Sequence, residues 1–412
     1  MPIRPSALRL APLAPAPVAA TAELRPTFAL FASAFRPFFL FGALWAALAV
    51  PLWLLALDGE PLLALGVGGV LGGIGWHAHE MIFGFTTAII AGFLLTAAAT
   101  WTKRTTLTGW GLALVFGVWL AGRVLMLIPE VPASVVAIVD LGFLPLVGLA
   151  LARPLIAARS RRNYGFLGLL AGLWAADLVL HGSALGWWTG WSRDAGLVAL
   201  DLVMVVVAVV AARVIPMFTR NATGEASIRS SVGLDRAVIV GLLAVALARA
   251  FGGAGLAVLA LVTALLVLAR TRHWGAWASR TNPLLWVLHV GHAWIAVGLS
   301  LTCAAELGWV APALATHART VGAIGITTLG MMARVSLGHS GRALQVSRVI
   351  ALAFAAMTLA ALCRALVPAF TPESTYRVWL HASGVLWSLA FALFVVVYTP
   401  ILARSRPDGR PG

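Results

Sequence analysis

Charge is scarce in this sequence. Only 10% of its 412 residues are Asp, Glu, Lys or Arg, while 61% are hydrophobic, and the mean hydropathy is +0.96. No water-soluble domain needs so much apolar surface, whereas an integral membrane bundle does. Acidic residues are scarcer still, 14 against 29 Lys and Arg, for a net charge of +15. The basic residues fall in short loops between apolar runs, so they read as topology signals, and no nucleic-acid partner is expected. Cysteine is limited to Cys303 and Cys363, too few for a disulfide framework and not in a C-x-x-C pattern. C-x-x-C-H is absent too, which excludes covalent haem attachment. No Gly-rich phosphate loop and no extramembrane domain for a dinucleotide are apparent. The first 35 residues lack the unbroken apolar stretch of a secretory signal, because Pro12, Pro15 and Pro17 interrupt it. With Arg4, Arg9 and Arg25 they read as a disordered cytoplasmic tail.

Long apolar runs make up most of what remains. At about 20 residues per span, the fold class is an all-α polytopic membrane protein. Its helices are expected at 36–57, 76–101, 109–128, 133–155, 165–188, 194–216, 236–251, 253–270, 282–303, 313–337, 345–367 and 378–402. Residues 36–403 thus form a single twelve-helix transmembrane domain, with 404–412 a second cytoplasmic tail. Lys103, Arg104, Arg153, Arg159, Arg161, Arg162, Arg220, Arg229, Arg270, Arg272, Arg280, Arg342, Arg348, Arg404, Arg406 and Arg410 gather on one side. The other side has Asp58, Glu60, Glu130 and Glu306 with only Arg193 and Arg377. A faint repeat adds to this: Trp45-Ala46-Ala47, Trp174-Ala175-Ala176 and Trp294-Ile295-Ala296 recur in the first, fifth and ninth predicted helices. It suggests three units of four helices.

The chemistry-bearing stretch is Gly75-Trp76-His77-Ala78-His79-Glu80-Met81. Ionisable groups at bilayer depth are costly and mark functional sites by default, and neutral imidazole is the commonest metal ligand. On a regular helix, residues two apart diverge by about 200°. His77 and His79 therefore serve one metal only if the helix is irregular there; otherwise they address two sites. His289-Val290-Gly291-His292 is the second signal, an i, i+3 pair on one helix face able to line one cavity. The alternative is a pair hydrogen-bonded to neighbouring carbonyls of the first and second helices. His317 is a further ligand candidate on the side of His77 and His79, and His339 lies at the far end of the same helix. Met331 and Met332 suit soft Cu(I), but Met on an apolar helix usually packs. Arg123 and Asp140 lie at similar depth and read as an ion pair, while Arg249 and Arg364 have no evident partner.

Trp76-His77-Ala78-His79-Glu80-Met81, Arg36-Pro37-Phe38-Phe39, Pro283 to His292 and Gly330 to Arg342 resemble the NnrS family. Those bacterial membrane proteins are associated with denitrification and nitric oxide stress and are reported to contain haem and copper. The resemblance covers nearly the whole chain from Phe35 on. It implies a multi-pass inner-membrane protein holding non-covalent, b-type haem and copper, with nitric oxide or a related small nitrogen oxide as partner. Whether it is an oxidoreductase acting on nitric oxide is left open. Metal-ligand candidates are then His77, His79, His289, His292 and His317, with copper favoured for the His289/His292 pair. His77 and His79, with Arg123, Arg249 and Arg364 toward the propionates, are the candidates for holding haem. A weaker likeness is architectural: haem–copper oxidases also arrange twelve helices in pseudo-threefold fashion. Their His-Pro-Glu-Val copper signature is missing here, and fold alone establishes no reaction. The rival functions are a secondary transporter of protons or metal ions using its intramembrane His and Asp residues, and a copper or haem assembly factor.

The loop charges predict that both termini are cytoplasmic and that Asp58, Glu60, Glu130 and Glu306 are periplasmic. Reporter fusions after Arg161 and Arg272 should report a cytoplasmic location; a periplasmic signal at either would reverse the topology.

Overall fold

The computed structural model describes residues 29–59, 67, 69–252 and 255–409. The expected tail up to residue 28, Glu60 and Arg410 lie outside the described residues. No strand occurs among the described residues, as a lipid environment requires: only helices or closed barrels satisfy every backbone group internally. The main helices are α1 (Phe35–Leu57), α2 (Gly73–Thr102), α3 (Gly109–Leu125), α4 (Ala133–Ala157), α5 (Gly165–Ala184) and α6 (Ser192–Thr223). They continue as α7 (Val232–Ala250), α8 (Leu256–Thr271), α9 (Pro283–Glu306), α10 (Pro312–His339), α11 (Arg348–Ala365) and α12 (Tyr376–Ala403). Among the described residues nine are long and apolar enough to cross a membrane. The 17-residue α3 and 16-residue α8 are shorter, and α7 carries Asp235, Arg236 and Arg249. Nine spans, rather than twelve, is what length and composition establish.

Helix starts follow local chemistry. Ser231, Asn282 and Ser347 accept from the backbone N–H of Leu234, Leu284 and Ile350, satisfying donors a helix start leaves free. Pro283 takes the first position of α9, where its missing N–H costs nothing. Two helices are not regular throughout. α2 is α-helical over Gly73–His79, π-helical over Glu80–Thr86 and α-helical again from Thr87. α10 repeats this design, with Pro312–His317, a π stretch over Ala318–Gly325, and Ile326–His339. A π turn closes i→i+5 bonds and so rotates everything beyond it relative to a continuous α-helix. In both helices a histidine is the last residue before the change.

These two helices are the most enclosed. Of their most apolar 18 residues, 89% in α2 and 83% in α10 are buried, against 33% in α12. Successive helices pack as neighbours, and α1 against α12 closes the ring. Ala29 N–H donates to Ala403 O at 2.8 Å, and Arg36 Nη1 donates to the carbonyls of Leu402 at 2.9 Å and Arg404 at 2.7 Å. At the opposite end, Arg377 Nη2 bonds Asp58 Oδ1 at 2.6 Å. Close approach at the centre depends on small residues. A Cβ on Gly322 of α10 would lie 2.5 Å from the Trp294 ring of α9, and one on Gly84 of α2 would lie 3.0 Å from Trp45 Nε1 of α1.

Gly322→Val should therefore destabilise the detergent-solubilised protein by the about 1–3 kcal/mol that overpacking costs, read as a lowered thermal-unfolding midpoint. Gly117→Ala, with nothing within 4 Å of the added carbon, should leave the midpoint nearly unchanged.

Candidate metal and cofactor sites

Because α2 is still regularly α-helical up to His79, its two histidines face different surroundings. His77 stacks on Trp53 of α1 with ring centroids 4.1 Å apart and planes 18° from parallel. His79, buried, turns toward α4 and α5.

Around His79 lies a cluster of ionisable groups with almost no access to solvent. His79 Nε2 is 3.0 Å from both Asp177 Oδ1 and Asp140 Oδ2, and its Nδ1 is 3.1 Å from Glu80 Oε1. His181 Nε2 is 3.1 Å from Asp140 Oδ2 and 3.8 Å from Asp177 Oδ1. Arg123, from the end of α3, donates through Nη2 to Asp140 Oδ1 and sets its Nε 3.2 Å from Glu80 Oε2. One ligand atom each from His79, Asp140, Asp177 and His181 lies within 4.8 Å of the other three, so the group can hold a metal ion. Three carboxylates against one guanidinium leave a formal charge of −2 before the histidines are counted. Glycine makes room for this: a Cβ on Gly84 would meet Glu80 Oε2 at 2.6 Å, and one on Gly122 would meet Asp140 Oδ1 at 2.7 Å.

On the opposite face of α2 is a cavity of about 460 Å³. His77, His317, Thr320, Arg364, Tyr376 and Trp387 contribute to a wall that is otherwise mostly apolar. The Arg364 guanidinium lies over the Tyr376 ring at 5.3 Å, and its Nη1 is buried with no hydrogen-bond partner among the described residues. His77 Nδ1 is likewise buried without a partner. Among the described residues His317 Nδ1 has only a long 3.4 Å contact, to Thr320 Oγ1.

The structure thus pairs His77 with His317 at one cavity and His79 with His181 in one cluster. Neither His289 nor His292 lines the cavity. His289 Nε2 is 3.1 Å from Thr219 Oγ1 of α6. His292 Nε2 accepts from Arg270 of α8, at 3.0 Å from Nη2 and 3.3 Å from Nε, and its ring lies 4.8 Å from that of Trp274. Of the three candidate arginines only Arg364 reaches the cavity. Arg123 is held by Asp140 and Glu80, and Arg249 Nε bonds Asp201 Oδ2 at 2.7 Å, an aspartate that Arg319 Nη1 also engages. Asp177 and His181 were not combined with His79 from sequence. Their i, i+4 spacing, which puts both on one face of α5, was the available signal.

Arg123→Leu would leave three buried carboxylates without their guanidinium, and breaking such a pair costs about 3–5 kcal/mol. Loss of the exposed Arg377–Asp58 pair in Arg377→Leu should cost less than about 1 kcal/mol. Thermal unfolding of the two variants in detergent should separate them by that margin.

Among curated proteins none matches this chain. A family model described as NnrS protein matches residues 29–406, from the turn before α1 to just past the end of α12. With nearly its whole length matched, the chain belongs to the NnrS family.

Proposed function

We propose that this protein serves the nitric oxide response as an inner-membrane haem protein, with copper as its second metal. Family membership supports a part in nitric oxide response, and the nine apolar helices support a multi-pass membrane location. The observation that carries the haem assignment is the cavity between α2 and α10. Imidazoles from two different helices, His77 and His317, open into one apolar space, with Arg364, whose Nη1 is buried and without a partner among the described residues, at its wall. Two neutral nitrogen ligands and one cation for a carboxylate are what a non-covalent b-type haem needs from a protein. When bound, haem would supply an iron centre for electron exchange, and would take up nitric oxide only where one of the two imidazoles leaves its coordination position free. The chain's own part is to hold and shield. Trp53 fixes the His77 ring by stacking, Arg364 neutralises a propionate, and the apolar wall admits a small membrane-soluble gas while limiting water.

In this reading α3, α7 and α8 complete a twelve-span bundle with both ends in the cytoplasm. The quasi-repeat is supported by two of its three units. Trp45 packs on Gly84 in the π stretch of α2, and Trp294 packs on Gly322 in the π stretch of α10. Trp174 instead donates to Leu141 O. In this reading copper takes the nitrogen and oxygen donors grouped around His79.

Purified wild-type protein should show a haem absorbance band. His77→Ala and His317→Ala should each lose most of it while remaining membrane-inserted, and Arg364→Leu should retain haem less tightly. His289→Gln should keep the band. A colourless wild-type protein would favour the transporter reading, and full haem in both His77→Ala and His317→Ala would remove the cavity from consideration.

A further inference from the structure

We propose that His79, His181, Asp140 and Asp177 form a binding site for one divalent transition-metal cation, with Glu80 and Arg123 as its supporting shell. The site is separate from the cavity and does not require haem to be there; it rests on the preceding reading only in taking copper as the family's metal.

Spacing comes first. Nitrogen and oxygen ligands about 2.0–2.1 Å from an ion stand roughly 3.3–3.4 Å apart in a tetrahedral site and about 2.8–3.0 Å apart as neighbours in a tetragonal one. Across the cluster, His79 Nε2 and His181 Nε2 lie 3.0–3.8 Å from the carboxylate oxygens of Asp140 and Asp177. The remaining pairs lie within 4.8 Å, so side-chain shifts bring the four atoms to bonding spacing.

Tautomer is the second point. A metal-ligating histidine usually gives its remaining ring N–H to a carboxylate, which fixes the ring and directs the free lone pair at the metal. Glu80 Oε1, 3.1 Å from His79 Nδ1, stands in that position. Arg123 Nη2 occupies Asp140 Oδ1 and leaves Oδ2 facing both histidines. Glu80 and Arg123 therefore pre-set the donors without joining them.

Charge is the third. Glu80, Asp140 and Asp177 against Arg123 sum to −2, and a divalent cation with two neutral imidazoles brings the group to zero. A neutral interior is what a low-dielectric bundle favours. The donor set also selects the ion: two imidazole nitrogens and two carboxylate oxygens, with no thiolate or thioether, suit Cu²⁺ or Zn²⁺ and disfavour Cu⁺. Of those two the order of affinity favours Cu²⁺.

The test uses the purified full-length chain, stripped with a chelator and dialysed against Cu²⁺ or Zn²⁺ alone. Wild type should retain one non-haem metal ion per chain, Cu²⁺ more tightly than Zn²⁺, and metal should raise its unfolding temperature. Asp177→Asn and His181→Gln, which preserve size, should lose the ion and the metal-dependent shift. Glu80→Gln should keep the site with affinity weakened by about 10–100-fold. Copper-loaded wild type should show nitrogen hyperfine coupling from two imidazoles, and any copper held by His181→Gln should show one fewer. His317→Ala should lose haem but keep this ion, so failure of the cavity assignment and failure of this site give different results. Wild type that binds no ion after chelation, or Asp177→Asn and His181→Gln variants that both retain it, would overturn the proposal.

Discussion

Water is missing from the middle of a bilayer, so any charged side chain placed there must be answered by another part of the protein. The interior of this bundle is arranged around that demand. Arg123 meets Glu80 and Asp140, Arg249 and Arg319 share Asp201, and Arg270 lies 3.8 Å from Asp235 with His292 beside it. Each group joins residues from at least two helices. Buried pairs add little net stability against an apolar core, but they penalise wrong registers between helices that are otherwise uniformly greasy. Leu and Ala surfaces can slide; an arginine with one acceptable partner cannot.

The two enclosed helices, α2 and α10, each contribute to one of these groups and break their own regularity beside it. Glu80 opens one π stretch, and Arg319 is the second residue of the other. The change of winding begins just after His79 and His317, so each histidine is aimed by a regular α turn. The residues beyond are re-aimed toward a different neighbour. His77 and His79 consequently stand on opposite faces of a single helix, which separates the cavity from the acid cluster by roughly one helix diameter, about 10–12 Å.

Much of this was readable from residue order. Apolar run length located the nine long helices, α6 and α2 being longer than expected because Arg220 and Gly73 continue the helix past the apolar stretch. The divergence of His77 and His79 follows from 3.6 residues per turn alone, and the Arg123–Asp140 pair from matched depth on adjacent helices. The π stretches were not legible, since no residue type marks them. The grouping of His79 with His181 was hidden for another reason: it joins α2 to α5, and no local spacing encodes which helices touch. The i, i+3 spacing of His289 and His292 pointed to a shared cavity, yet Thr219 of α6 and Arg270 of α8 draw the two rings to different partners. Spacing says which side chains share a face, and only packing says what that face meets.

The contacts that close the ring have a consequence for biogenesis. Arg36 lies at the start of the first helix, and its carbonyl acceptor on Leu402 is 366 residues later. At ribosomal speeds of about 5–20 residues per second, the acceptor is made roughly 20–70 s after the donor. During that interval α1 is already inserted but has no closing neighbour, and the face it will give to α12 must be covered by lipid or by the insertion machinery. Sealing of the bundle therefore waits for the synthesis of α12.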